Sequence, residues 1–145
     1  QEASYDFNQN ISSWDVSNVT NMSFMFMGAQ SFNQDIGNWD VSKLTDMNYM
    51  FFGANAFNQN IGNWDVSSVT GMYYMFDGTT SFNQDIGDWD VSNVTNMNNM
   101  FNVATKFNQD LSQWCVSKIP SIPYDFSKGS WLTQANKPVW GTCPP

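Results

Sequence analysis

The chain has 145 residues, is 17% aromatic and 12% charged, and carries a formal net charge of −8. That many aromatics exclude a disordered acidic tail. With five basic residues, all lysine, and no histidine, the chain is a poor match for a phosphate backbone or an anionic membrane surface, which leaves divalent cations and basic partners open.

No stretch approaches the roughly 20 apolar residues of a membrane span. A repeat in strict register dominates the rest. Phe7, Phe32, Phe57, Phe82 and Phe107 each begin an F-N-Q-[DN] run, and Trp14, Trp39, Trp64, Trp89 and Trp114 follow at the same 25-residue spacing. A fixed period of this size implies units that bury their apolar faces against their neighbours. Counting back one period from Phe26 reaches Gln1, so the first coil is expected to be incomplete, as a processed fragment or a shortened coil.

The coil that opens at Ile36 serves as the model. Ile36, Trp39 and Val41 fit the L-x-x-L-x-L strand segment of a leucine-rich repeat, with Asn38 and Asp40 alternating outward. Leu44, Met47, Met50, Phe51 and Ala54 then follow a helical spacing, with Ser42 as N-cap and Gly53 as stop, which predicts a short helix, partly 3₁₀. Phe57 returns to the core, and Asn58 and Gln59 turn into the next strand. The expected fold is an α/β repeat solenoid of leucine-rich-repeat type. It has one short parallel strand and one short helix or 3₁₀ turn per coil, about five coils over residues 1–118, and a C-terminal cap over 119–145.

The columns divide by chemistry. Helical spacing places the methionine columns from Met22 and Met25 in the core, and the strand template does the same for Trp. Asn8, Asn33, Asn58, Asn83 and Asn108 read as an internal ladder whose amides bond turn backbone in their own or the next coil. Thr20, Thr45, Thr70 and Thr95 read as caps. Asp15, Asp40, Asp65 and Asp90 take the outward strand position, about 5 Å apart. Their repulsion is offset either by turn bonds to the serines that follow or by Ca²⁺, although no D-x-D-x-D-G loop is present. No other cofactor is implied. The face that carries Asn38, Asp40, Asn63, Asp65, Asp88 and Asp90 is the candidate binding surface. Asn10, Asn18, Asn21 and Asn93 open N-x-[ST] sequons, which arise readily in so Asn-rich a repeat.

After Trp114 the repeat decays. Cys115 replaces Asp, and prolines enter at 120 and 123. Trp131, Leu132, Val139 and Trp140 are expected to cover the last coil. Cys115 and Cys143 fit a staple that contributes roughly 3–4 kcal/mol and points to an oxidising compartment. A thiol catalyst would need a base, and there is no histidine.

The unit F-N-Q-D-I-x-x-W-D-V-S-x-V-T-x-M-x-x-M-F-x-x-A resembles the repeat of BspA-like leucine-rich-repeat surface proteins, also known from mycoplasma surface lipoproteins, over residues 7–118. The tail K-P-V-W-G-T-C-P resembles the end of secreted members. The resemblance implies a repeat solenoid at the cell surface or outside the cell, linked to adhesion and protein binding, with no catalytic residues to carry over. The expected function is a non-enzymatic adhesion or interaction module whose partner is a protein or glycan at a cell surface. The alternative is a filament or surface-layer subunit that self-associates end to end around Tyr5 and Phe7. Acid-pair hydrolysis needs two carboxyls in different environments, whereas these recur identically in every coil.

Overall fold

The computed structural model describes residues 5–145, so the expectation about Gln1 lies outside the described residues. The chain winds in 25-residue coils stacked in register, and each coil is built almost entirely of turns. Among the described residues the one helical segment is a 3₁₀ turn at Gln134–Asn136. Strand pairing is reduced to isolated parallel bridges that link Asn21, Asp46, Gly71 and Asn96. The α/β leucine-rich-repeat solenoid expected from the sequence is therefore wrong: among the described residues no coil contains a strand and a helix.

The reason is visible in the backbone bonds. The amides of Met47, Tyr49, Phe51 and Gly53 donate to the carbonyls of Gly71, Tyr73, Met75 and Asp77 in the next coil, at 2.8–3.1 Å. The amides between them, at Met50, Phe52 and Ala54, donate three residues back, to Met47, Tyr49 and Phe51. An α-helix needs every one of these amides to reach four residues back. Here they alternate between a local turn and a neighbouring coil. Tyr49 (φ 58°) and Gly53 (φ 67°) adopt the left-handed conformation that breaks a right-handed helix. The helical spacing did identify the buried side chains: Leu44, Met47, Met50, Phe51 and Ala54 are all fully buried.

The segment expected to be a strand makes two tight turns instead. Trp39 N donates to Ile36 O at 3.1 Å, and Leu44 N donates to Val41 O at 3.0 Å. An Asp introduces each turn: the Oδ1 of Asp35 accepts from Gly37 N, and that of Asp40 accepts from Ser42 N. Such side-chain turns compete with a strand ladder for the backbone donors. Ser42 closes a turn rather than capping a helix. The Thr residues are not caps either, because Thr45 and Thr70 donate both N–H and Oγ1 to the carbonyl of the Thr one coil back.

Aromatic columns fill the core. Phe32, Phe57, Phe82 and Phe107 stack ring on ring at 5.7–6.0 Å, and Phe51 sits 4.1 Å from Phe57. Burying each such ring contributes roughly 1.5–3 kcal/mol. Trp39, Trp64, Trp89 and Trp114 are buried, and each donates its indole N–H to the carbonyl of Ile11, Ile36, Ile61 or Ile86 in the preceding coil. Trp14 departs from its column and is 52% exposed.

The coil-to-coil ladder runs further than the sequence period shows. Asn99, Phe101 and Val103 donate to Tyr124, Phe126 and Lys128. Beyond that lies the cap, where Leu111 N donates to Asn136 O and Val116 N donates to Thr142 O. Phe126, Leu132 and Trp140 cover the last coil, whereas Trp131 and Val139, expected to share that role, are each 68% exposed. Cys115 and Cys143 are joined in a disulfide.

Candidate functional site

Each position of the coil recurs at nearly the same place one layer on, so side chains of one column form a line along the stack. Two such lines matter for function.

The first is acidic. Asn38, Asp40, Asn63, Asp65, Asp88 and Asp90 are all exposed, as is Asp15. Each Asp of the column spends Oδ1 on its own turn. Ser42, Ser67 and Ser92 donate to it with both N–H (3.0 Å) and Oγ (2.6 Å), and Ser17 does the same for Asp15. The serine hydroxyl, and then its amide, hold the carboxyls of Asp15, Asp40 and Asp65 below the usual Asp range. Repulsion from Asp15 on Asp40, and from Asp40 on Asp65, works weakly the other way. The carboxyls of Asp15, Asp40 and Asp65 are thus ionised at neutral pH, and among the described residues no protein donor takes their Oδ2. Among the described residues no three acidic, cysteine or histidine groups gather around a point that could hold a metal ion.

The second line is the asparagine ladder. The Oδ1 atoms of Asn8, Asn33, Asn58 and Asn83 accept the backbone N–H of Asn33, Asn58, Asn83 and Asn108, at 2.9–3.0 Å. Gln34, Gln59, Gln84 and Gln109 donate Nε2 to the same Oδ1 atoms. At the top, Thr133 N and Asn136 Nδ2 donate to Asn108, so the cap completes the ladder. The sequence pointed to the Asn but not to the Gln partner. The invariant F-N-Q triplet is the signal that carries it.

The sequon asparagines are exposed and differ in their surroundings. Lys43 Nζ donates to Asn18 Oδ1, and Lys118 Nζ donates to Asn93 Oδ1, both at 2.8 Å. Asn93 also donates Nδ2 to Ser67 O, which occupies the nitrogen that a glycan would take. Asn10 and Asn21 accept from Ser12 and Ser23 in short turns. At the end expected to self-associate, Tyr5 is exposed and Phe7 stacks on Phe32 at 5.7 Å. The opposite end is covered by the cap.

A family model described as Mycoplasma protein of unknown function, DUF285, matches residues 2–61 and 34–140. The chain belongs to this family. Comparison with curated proteins and with solved structures gives no match. A DUF285 chain of this kind has no helix among the described residues long and apolar enough to cross a membrane. Its disulfide is consistent with an extracellular setting.

Proposed function

We propose that this DUF285 chain is a non-enzymatic interaction module that works at the cell surface or outside the cell. Its contact surface is the acidic line of Asp40, Asp65 and Asp90 with Asn38, Asn63 and Asp88 beside it. The observation that carries this reading is the uniformity of the line. Asp40, Asp65 and Asp90 are each fixed by the N–H and Oγ of the serine two residues on, so these coils repeat one charge pattern and none of the three is set apart for chemistry. A rigid row of ionised groups suits a basic patch on a protein partner, where charge complementarity steers association. The disulfide and the resemblance of the repeat to BspA-like surface proteins, whose members are linked to adhesion, support the extracellular setting.

Biolayer interferometry of the immobilised chain against purified extracellular-matrix proteins, basic ones included, tests this at low and at physiological salt. Binding that weakens as salt rises is the expected result. The absence of binding to every matrix protein at low salt would sink the reading.

A further inference from the structure

We infer that the asparagine ladder is a second binding site, a groove for an extended glycan whose sugars carry hydrogen-bond acceptors. Asn33, Asn58, Asn83 and Asn108 line an open groove that Lys106 and Trp131 share. The groove arises from one column of the repeat. Ser31, Ala56 and Ser81 precede the ladder's phenylalanines, and their small side chains leave room beside the amides. Lys106 and then Trp131 take the same column position in the last two layers and form a wall.

The amides are chemically one-sided. Each Oδ1 already accepts two donors, so each side chain has only its Nδ2 hydrogens left to offer, and among the described residues no protein acceptor takes them. With the Lys106 ammonium, the groove is a row of donors. No carboxylate lines it, although the chain as a whole carries a net charge of −8. Its ligand must therefore bring a row of acceptors.

The spacing and the tryptophan narrow the class. The donors repeat once per coil, a step near the ~4.8 Å of neighbouring extended chains. An extended β-1,4-linked pyranose chain advances per sugar by nearly the same step but turns alternate sugars over, so every second sugar presents the same edge to every second amide. Trp131 is 68% exposed, yet its backbone is anchored, because Leu132 is buried and Thr133 N donates to Asn108. A fixed, exposed indole at the end of a polar groove is a platform for the apolar C–H face of a pyranose ring. Acetamido carbonyls supply acceptors at a regular interval, so the geometry favours a β-linked N-acetylhexosamine oligomer over a plain glucan.

The test is calorimetric titration of the full chain with the hexamer of β-linked N-acetylglucosamine, and with the glucose hexamer of the same linkage. The acetamido hexamer is expected to bind, with the glucose hexamer about tenfold weaker or more. Trp131→Ala alters only an exposed side chain and is expected to weaken binding about tenfold. Asn58→Asp combined with Asn83→Asp keeps the Oδ1 acceptors of the ladder and removes its two central donors. It is expected to abolish binding while the melting curve stays close to that of the parent. Asp65→Asn, on the acidic line, is expected to bind the hexamer normally, which separates this site from the protein-binding surface. No binding of the acetamido hexamer, equal affinity for the two hexamers, or affinity unchanged by Trp131→Ala would each overturn the inference.

Discussion

The indole Nε1 of Trp64 donates to the carbonyl oxygen of Ile36, 3.1 Å away in the preceding coil. The same carbonyl accepts Trp39 N, so a single buried oxygen closes a turn and ties two coils together. Trp64→Phe keeps the apolar bulk and removes that tie. The expected loss is about 1–3 kcal/mol, read as a lower urea midpoint with an unchanged slope. A midpoint equal to that of the parent would show that the indole bond contributes nothing.

The asparagine ladder makes a sharper prediction, because two substitutions at one position should diverge. Asn58→Ala removes the acceptor for Asn83 N and for Gln84 Nε2, and is expected to cost about 1–3 kcal/mol. Asn58→Asp keeps the oxygen and should stay within about 0.5 kcal/mol of the parent at neutral pH. Thermal melts of the two variants compared with the parent check both outcomes.

The pH dependence has two opposing parts. Hydrogen bonds from serines lower the carboxyls of Asp15, Asp40, Asp65 and Asp110, so their contribution is present above the ordinary Asp range and is lost as pH falls through their folded values. Asp77 is the reverse. It is only 8% exposed, and burial raises its carboxyl, while a hydrogen bond from Asn102 opposes the rise and Asp125 adds slightly to it. Its contribution is present below the ordinary Asp value and is lost as pH rises through the raised one. Asp77→Asn keeps an acceptor for Asn102 Nδ2 and removes the buried charge. The variant is expected to melt higher than the parent at pH 7 and to lose that advantage near pH 3. Equal melting temperatures at both values would contradict this account of Asp77.

The Cys115–Cys143 staple holds the cap on the last coil. Cys143→Ser is expected to cost roughly 3–4 kcal/mol, with the loss reproduced by reducing the parent. Intact-mass analysis of the parent with and without reductant should differ by two hydrogens.

Much of the interior was legible from spacing alone. Phe57, Met47, Met50 and Val41 are buried where the columns placed them, because a repeat in register forces equivalent residues into equivalent layers. The local conformation was not legible. The spacing of Leu44, Met47, Met50 and Phe51 fits a helix and also fits a chain of three-residue turns, and side-chain period does not report which carbonyl an amide reaches. Tyr49 gave no warning of its left-handed φ, since an aromatic rarely adopts it. It is held there by its neighbours: Phe24 stacks on it at 5.0 Å, and it stacks on Tyr74 at 4.7 Å. On the surface, the alternation of Asn38 and Asp40 with Trp39 gave the right outward face, although those residues lie in turns rather than a strand. The donor groove was missed because its defining feature is the Gln that saturates each Asn oxygen, which only the stacked geometry brings together.

The central claim, that the acidic line is a protein-contact surface, is tested most directly by the triple variant Asp40→Asn, Asp65→Asn, Asp90→Asn. Each Asn keeps an Oδ1 for its serine, so the turns persist while three surface charges disappear. At matched melting temperature, binding of the variant to the matrix protein that the parent binds is predicted to fall about tenfold or more, and to lose most of its salt dependence. Binding equal to that of the parent at every salt concentration would contradict the claim.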